Sequence, residues 1–193
     1  MSRRTSFTVL TVGHSSRTLE ELIALLRAHG VERVADIRTI PRSRRNPQFN
    51  RETLAADLRA AGIGYVHLAK LGGLRHARKD SVNLGWRNAS FRGFADYMQT
   101  PEFEAGLARL LKLAEKKRTA IMCAEAVPWR CHRSLVADPL TVRGVRVAHI
   151  MSRTTARKHK RTSFARVRGH TVTYPAVRAK PGGVARAARR KLR

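Results

Sequence analysis

Residues 123–133, Cys-Ala-Glu-Ala-Val-Pro-Trp-Arg-Cys-His-Arg, gather two thiols, a carboxylate, an imidazole and two guanidinium groups in eleven positions. Several chemistries need such a set. A thiol beside cations or free helix amides ionises readily and becomes a nucleophile, so Cys123 is the candidate nucleophile, with Arg130 or Arg133 as companion cations. Alternatively Glu125 serves as the general acid or base, with His132 assisting proton transfer, and the cysteines only pack. Six residues separate Cys123 from Arg130, one more than in the usual thiol-phosphatase loop. A third possibility is a metal held by Cys123, Cys131, His132 and His149 or Glu125. The sequence has no CxxC pair, and the adjacent Cys131 and His132 are poorly spaced for one ion, so no metal is assigned. No organic cofactor is assigned either.

Two further segments carry suitable residue types. In residues 36–49, Asp36 closes an apolar run where a lone carboxylate would be expensive, and Arg38 lies two positions on, free to pair with it or with a substrate anion. Arg42, Arg44 and Arg45 follow, then Phe49; arginines with an aromatic suit phosphates and a stacked base, or else a solvated loop with Phe49 in the core. His14, in Gly13-His-Ser-Ser16, precedes a helix, a position for a proton-transfer group or for a hydrogen-bonded structural one. The paired Gly72 and Gly73 permit close approach of backbone to a ligand, or form a turn.

Positioning these groups falls to alternating strands and helices. Apolar runs at 7–12, 31–37, 63–68, 119–123 and 145–150 predict five strands. Thr18-Leu-Glu-Glu21 is a capping box opening a helix with Leu19, Leu22, Ile23 and Leu26 on one face, stopped by Gly30. Asn50 caps a second helix ended by Gly62, residues 91–98 form a short third, Thr100-Pro-Glu opens a fourth, and a fifth spans 131–140. Residues 69–90 have no period and predict a long surface loop. The alternation predicts an α/β fold with a mainly parallel sheet of about five strands and helices on both faces, a Rossmann-like three-layer arrangement. Such sheets bind ligands at the carboxyl ends of their strands, and all three chemical segments follow predicted strands. No Gly-rich phosphate loop follows any strand, which argues against a dinucleotide or Walker-type site.

The chain of 193 residues predicts one α/β domain over 7–152 and a basic, largely disordered tail over 153–193, apart from a small hairpin around Gly169. The formal charge is +27, and residues 151–193 hold 14 of the 40 Lys and Arg but none of the 13 Asp and Glu. That asymmetry suits an anionic polymer, so nucleic acid or a nucleotide is the expected partner. No apolar run is membrane-length and the N-terminus lacks a signal core, so the expected compartment is the cytoplasm, with both thiols reduced.

Thr11-Val-Gly-His-Ser15, Asp36-Ile-Arg38 with Pro41, Ser43 and Phe49, Tyr65 with Leu71-Gly-Gly73, Tyr97-Met98, Cys-Ala-Glu125, Cys-His-Arg133 and His149-Ile150 together resemble an uncharacterised bacterial family, domain of unknown function 488. The resemblance covers about residues 8–152 and implies no established reaction; its signature motifs coincide with the three segments selected by strand position. The residues favour an enzyme acting on a phosphate-bearing substrate, with Arg38, Arg42 and Arg133 holding anionic oxygens. A non-catalytic nucleic-acid-binding protein is the alternative. A redox or sulfur-transfer protein using Cys123 and Cys131 is the second, and would need their α-carbons within about 7 Å.

Overall fold

Why the strands form one sheet follows from their burial. In a computed structural model, which describes residues 7–176, strands β1 (Thr8–Gly13), β2 (Arg33–Asp36), β3 (Gly64–His67), β4 (Thr119–Cys123) and β5 (Arg146–Ile150) pair in parallel. All five residues of β4 are buried, as a strand covered on both faces requires. A sixth strand, β6 (Ala156–Lys158), which the sequence pattern does not reveal, adds antiparallel to β5 and gives the order β3-β2-β4-β1-β5-β6.

Side chains alternate across the sheet and define two apolar layers. Leu10, Val12, Val34, Ala120 and Met122 face α1 (Leu19–Ala28) and α2 (Arg51–Ala60) through Leu22, Leu26, Leu54 and Leu58. Val9, Ala35, Ile121 and Cys123 face the other way, toward α3 (Ala89–Tyr97), α4 (Pro101–Lys116) and α5 (Arg133–Val142) through Phe94, Phe103, Leu107 and Leu135. The three-layer α/β expectation therefore holds. So does the capping box, where Glu21 N–H donates to the Thr18 hydroxyl and Thr18 N–H to the Glu21 carboxylate.

The surface loop expected over 69–90 is present and mostly exposed, apart from a short 3-10 turn at Ala69–Leu71, yet it is not loose. The stretch before α3 is tied down: buried Asp96 accepts from Arg78 N–H, the Ser81 hydroxyl and the Asn83 amide, and Gly85 N–H donates to the Tyr174 carbonyl. The domain does not end near 152. Strands β7 (Arg166–Arg168) and β8 (Thr171–Thr173) form the hairpin around Gly169, whose φ of 59° suits glycine. Beyond it Tyr174 is fully buried against Trp86 and Phe164, and its hydroxyl donates to Asp138 of α5. Apolar contact and a buried hydrogen bond, invisible in a charge count, fasten this part of the basic segment to the body. The part of the expected tail beyond residue 176 lies outside the described residues. Among the described residues no helix is long and apolar enough to cross a membrane.

A buried polar chain joins the same region to β1 and β5. His159 donates from Nε2 to Asp138 and accepts at Nδ1 from His149 Nε2–H, and His149 Nδ1 accepts from the Thr11 hydroxyl. Burial first, with the Arg133 charge among the further causes, lowers the His149 pKa to about 4, against 6.5 when exposed. Between those values an unfolded His149 binds a proton that the folded one refuses. Stability is therefore expected to fall as pH drops from 6.5 toward 4, with a shallower fall in His149→Asn, read as urea midpoints against pH. Tyr174→Ala is expected to cost about 3–5 kcal/mol in the same unfolding assay.

Candidate functional site

The connection from β1 leaves over one face of the sheet and that from β4 over the other, so a crevice opens between their carboxyl ends. A cleft of about 760 Å³ lies there. It brings together His14, Arg38, Arg42, Cys123, Glu125, Arg130, Cys131 and His132 from the three segments, along with Gly73.

The close approach of two chain segments builds its base. Past the strand ends, His14 N–H donates to Cys123 O at 3.0 Å and Ser15 N–H to Ala124 O at 2.8 Å. A Cβ at Gly13 would collide with the Glu125 carbonyl, so only glycine allows this contact. Arg133, in the first turn of α5, is 1% exposed and donates to the carbonyls of Glu125 and Ala126. It therefore holds the loop, and its guanidinium is not among the groups lining the cleft; its expected place against substrate oxygens is taken by backbone. The Glu125 side chain remains exposed at the rim.

Beneath one wall lies a buried ion pair. Asp36 is fully buried and takes three bonds of 2.6–3.1 Å from the Arg38 guanidinium, one from Arg38 N–H and one of 2.8 Å from the Tyr65 hydroxyl. Arg38 thus pairs with Asp36 while a part of it still faces the cleft. It also donates to the Phe49 carbonyl at 2.8 Å and to His14 Nε2 at 3.3 Å. His14 Nδ1–H in turn donates to Ser15 O, so both ring nitrogens are engaged. Burial first, and the Arg38 charge among the further causes, lowers His14 to about 4, which leaves the ring neutral near pH 7. Phe49 is fully buried, its ring centroid 4.2 Å from that of His14 and tilted by 34°, and sits behind the site as core.

Opposite lies the thiol–imidazole cluster. Cys123 Sγ and Cys131 Sγ are each 3.8 Å from His132 Nδ1. His132 Nε2 lies 3.1 Å from the Ile37 carbonyl, which can only accept, so the proton is on Nε2 and the Nδ1 lone pair faces the sulfurs. The two glycines accommodate neighbours here: a Cβ on Gly73 would lie 2.5 Å from His132 Nδ1, and one on Gly72 2.5 Å from the Thr39 hydroxyl. Gly73 lines the cleft, while Gly72 is buried beside it. A bond from Cys123, helped by the Arg133 charge and N–H against the effect of burial, lowers Cys131 to about 7. The same bond, with burial, pushes Cys123 up.

Sequence reasoning missed Asn46, Asn88, Ser90 and Phe91, which line the far wall. Asn88 had a legible signal, since it caps α3 through Ser90 N–H and Phe91 N–H. It also placed Cys131 second to Cys123, although the neighbours of Cys131 favour its ionised form more. Asp36→Asn is expected to destabilise the fold by about 3–5 kcal/mol, because it strips the partner from a buried guanidinium; chemical unfolding with a circular dichroism readout measures this.

A three-layer α/β protein with a polar, cation-rimmed cleft at its sheet switch point is the class that fold and site define. Within that class the chain belongs to the family described as Domain of unknown function DUF488, whose family model matches residues 18–140. That span includes Asp36, Arg38, the two glycines and the whole Cys123 to Arg133 stretch, and is narrower than the resemblance over 8–152, leaving out His14 and His149. No curated protein and no solved structure matches the chain.

Proposed function

We propose that this chain is an enzyme that acts on a phosphate-bearing substrate, a nucleotide or nucleic acid, bound in the cleft at the ends of β1, β2 and β4. The observation that carries the reading is the meeting, in one cleft, of the Cys123–Cys131–His132 cluster with Arg42 and Arg130. Rim arginines offer forked donors that match phosphate oxygens. Asn46, Asn88 and Ser90 add neutral donors, and Phe91 adds an aromatic face for a base. The cluster is then the reacting centre and the exposed Glu125 the proton carrier at the rim. His14 and Asp36 position Arg38; Phe49 supports His14 from behind.

The charge on the surface supports a second reading, a binding protein for nucleic acid without turnover. Arg157, Lys158, Lys160, Arg166 and Arg168 are exposed, on or beside β6 and β7.

Both readings meet one experiment. The full chain is titrated with nucleoside triphosphates and short single-stranded oligonucleotides at several salt concentrations, and product formation is followed in parallel. For the enzyme, Arg42→Ala and Arg130→Ala are each expected to weaken binding roughly tenfold or more, the equivalent of one charged hydrogen bond. Glu125→Gln is expected to slow turnover by about 10²–10⁴ with binding kept. Binding that falls steeply with salt, survives every cleft substitution and yields no product favours the second reading. A wild-type protein that neither binds nor turns over any of these ligands sinks both.

A further inference from the structure

We infer that Cys123, Cys131 and His132 form a binding site for one zinc ion, with the fourth coordination position open to the cleft. Their three ligating atoms, two sulfurs and Nδ1, all lie within 4.8 Å of one another. Tetrahedral zinc, with bonds of about 2.3 Å to sulfur and 2.0–2.1 Å to nitrogen, separates a sulfur from a nitrogen by about 3.6 Å and two sulfurs by about 3.8 Å. Both sulfur–nitrogen separations are 3.8 Å, so the donors need to move by only a few tenths of an ångström along those edges.

The surroundings are those of a metal ligand set. His132 already presents the Nδ1 lone pair, because Nε2–H is committed to the Ile37 carbonyl, the outer-shell arrangement that fixes a ligating imidazole. The adjacency that counts against the pair in the sequence is resolved by the backbone. Cys131 is extended (φ −131°, ψ 142°) and His132 turns into the helical region (φ −58°, ψ −15°), so consecutive side chains converge instead of diverging. Gly73 leaves room for the ring. Two thiolates and an imidazole are soft and borderline donors, which select zinc over magnesium or calcium. Zinc binding expels the thiol protons to solvent, and the buried Arg133, whose N–H donates to Cys131 Sγ at 3.5 Å, compensates the thiolate charge. Three protein ligands with an open position define a catalytic rather than a structural zinc site, able to polarise a phosphoryl oxygen or activate a bound water.

Metal binding deepens the enzymatic reading without resting on it, because it is measured with no substrate present. The full chain, reduced and freed of metal by a chelator that is then removed, is titrated with cobalt(II). One equivalent is expected to give the thiolate-to-cobalt charge-transfer band and the intense visible bands of tetrahedral cobalt, and one equivalent of zinc to abolish them. Cys123→Ser, Cys131→Ser and His132→Ala are each expected to weaken binding by more than the roughly 10–100-fold that loss of an outer-shell partner costs. Gly73→Ala, which retains every ligand and crowds Nδ1, is expected to weaken binding too, with circular dichroism confirming that each variant folds. A weak octahedral cobalt spectrum, or equal zinc retention by wild type and the Cys123→Ser, Cys131→Ser double variant, overturns the site. So does a protein kept reduced, with both thiols titratable, that takes up no zinc. Tight cobalt binding without any nucleotide binding would instead sink the proposed function and keep the metal.

Discussion

Arg133 is a buried cation whose hydrogen-bond partners are two carbonyl oxygens instead of a carboxylate, and the site is organised around that choice. An ion taken out of water costs several kcal/mol unless its donors are used and a compensating charge is near. The carbonyls of Glu125 and Ala126 satisfy donors but supply only partial charge. A full negative charge near Arg133 is therefore favoured, and one group that can provide it is the sulfur of Cys131, which accepts from Arg133 N–H at 3.5 Å. The same guanidinium fixes the loop that carries Glu125 and depresses the protonation of His149 on the far side. One buried charge thus sets loop geometry and contributes to two further properties, thiol ionisation, where the Cys123 contact comes first, and histidine neutrality, where burial comes first.

The opposite wall solves its charge problem differently. Asp36 and Arg38 cancel each other in a fork, and every carboxylate oxygen is occupied. That wall contributes rigidity and a nearly neutral surface, while the exposed Arg42 and Arg130 supply the positive rim. The cleft therefore has its free positive charge at the mouth and its anion-forming sulfurs at the base. An anion entering it meets the arginines first and the cluster second, an order consistent with substrate capture followed by chemistry.

Much of this was legible in the sequence because strand ends are legible. Apolar runs place the termini of β1, β2 and β4, and a parallel sheet brings such termini to one rim, so His14, Arg38, Cys123, Glu125 and His132 meet as expected. What the pattern does not carry is direction. Whether a side chain at a strand end faces cleft, core or backbone depends on one rotation, and Phe49 and Arg133 turned inward for reasons that involve partners distant in sequence. The fate of residues 153–176 was hidden for a related cause. Charge density describes the exposed strands β6 and β7, while four buried residues, His159, Ala165, Val172 and Tyr174, carry the attachment.

Two of those residues bear on the site as well as on the fold. His159 and Tyr174 both end on Asp138, in the middle of the helix whose first turn carries Arg133 and whose N-terminal flank carries Cys131 and His132. Thr11, at the other end of the hydrogen-bond chain, lies two residues before Gly13, where β1 meets the Glu125 carbonyl. The C-terminal strands therefore brace α5 against β1 and β5. A site in which donors must converge to a few tenths of an ångström needs such a brace, because a small rotation of α5 would separate Cys131 and His132 from Cys123 without breaking the sheet. On this view the segment that looks like a solvated basic tail is partly a structural member of the site: its charge sits on the exposed strands β6 and β7, and its packing on the residues that flank them and on Val172 of β8.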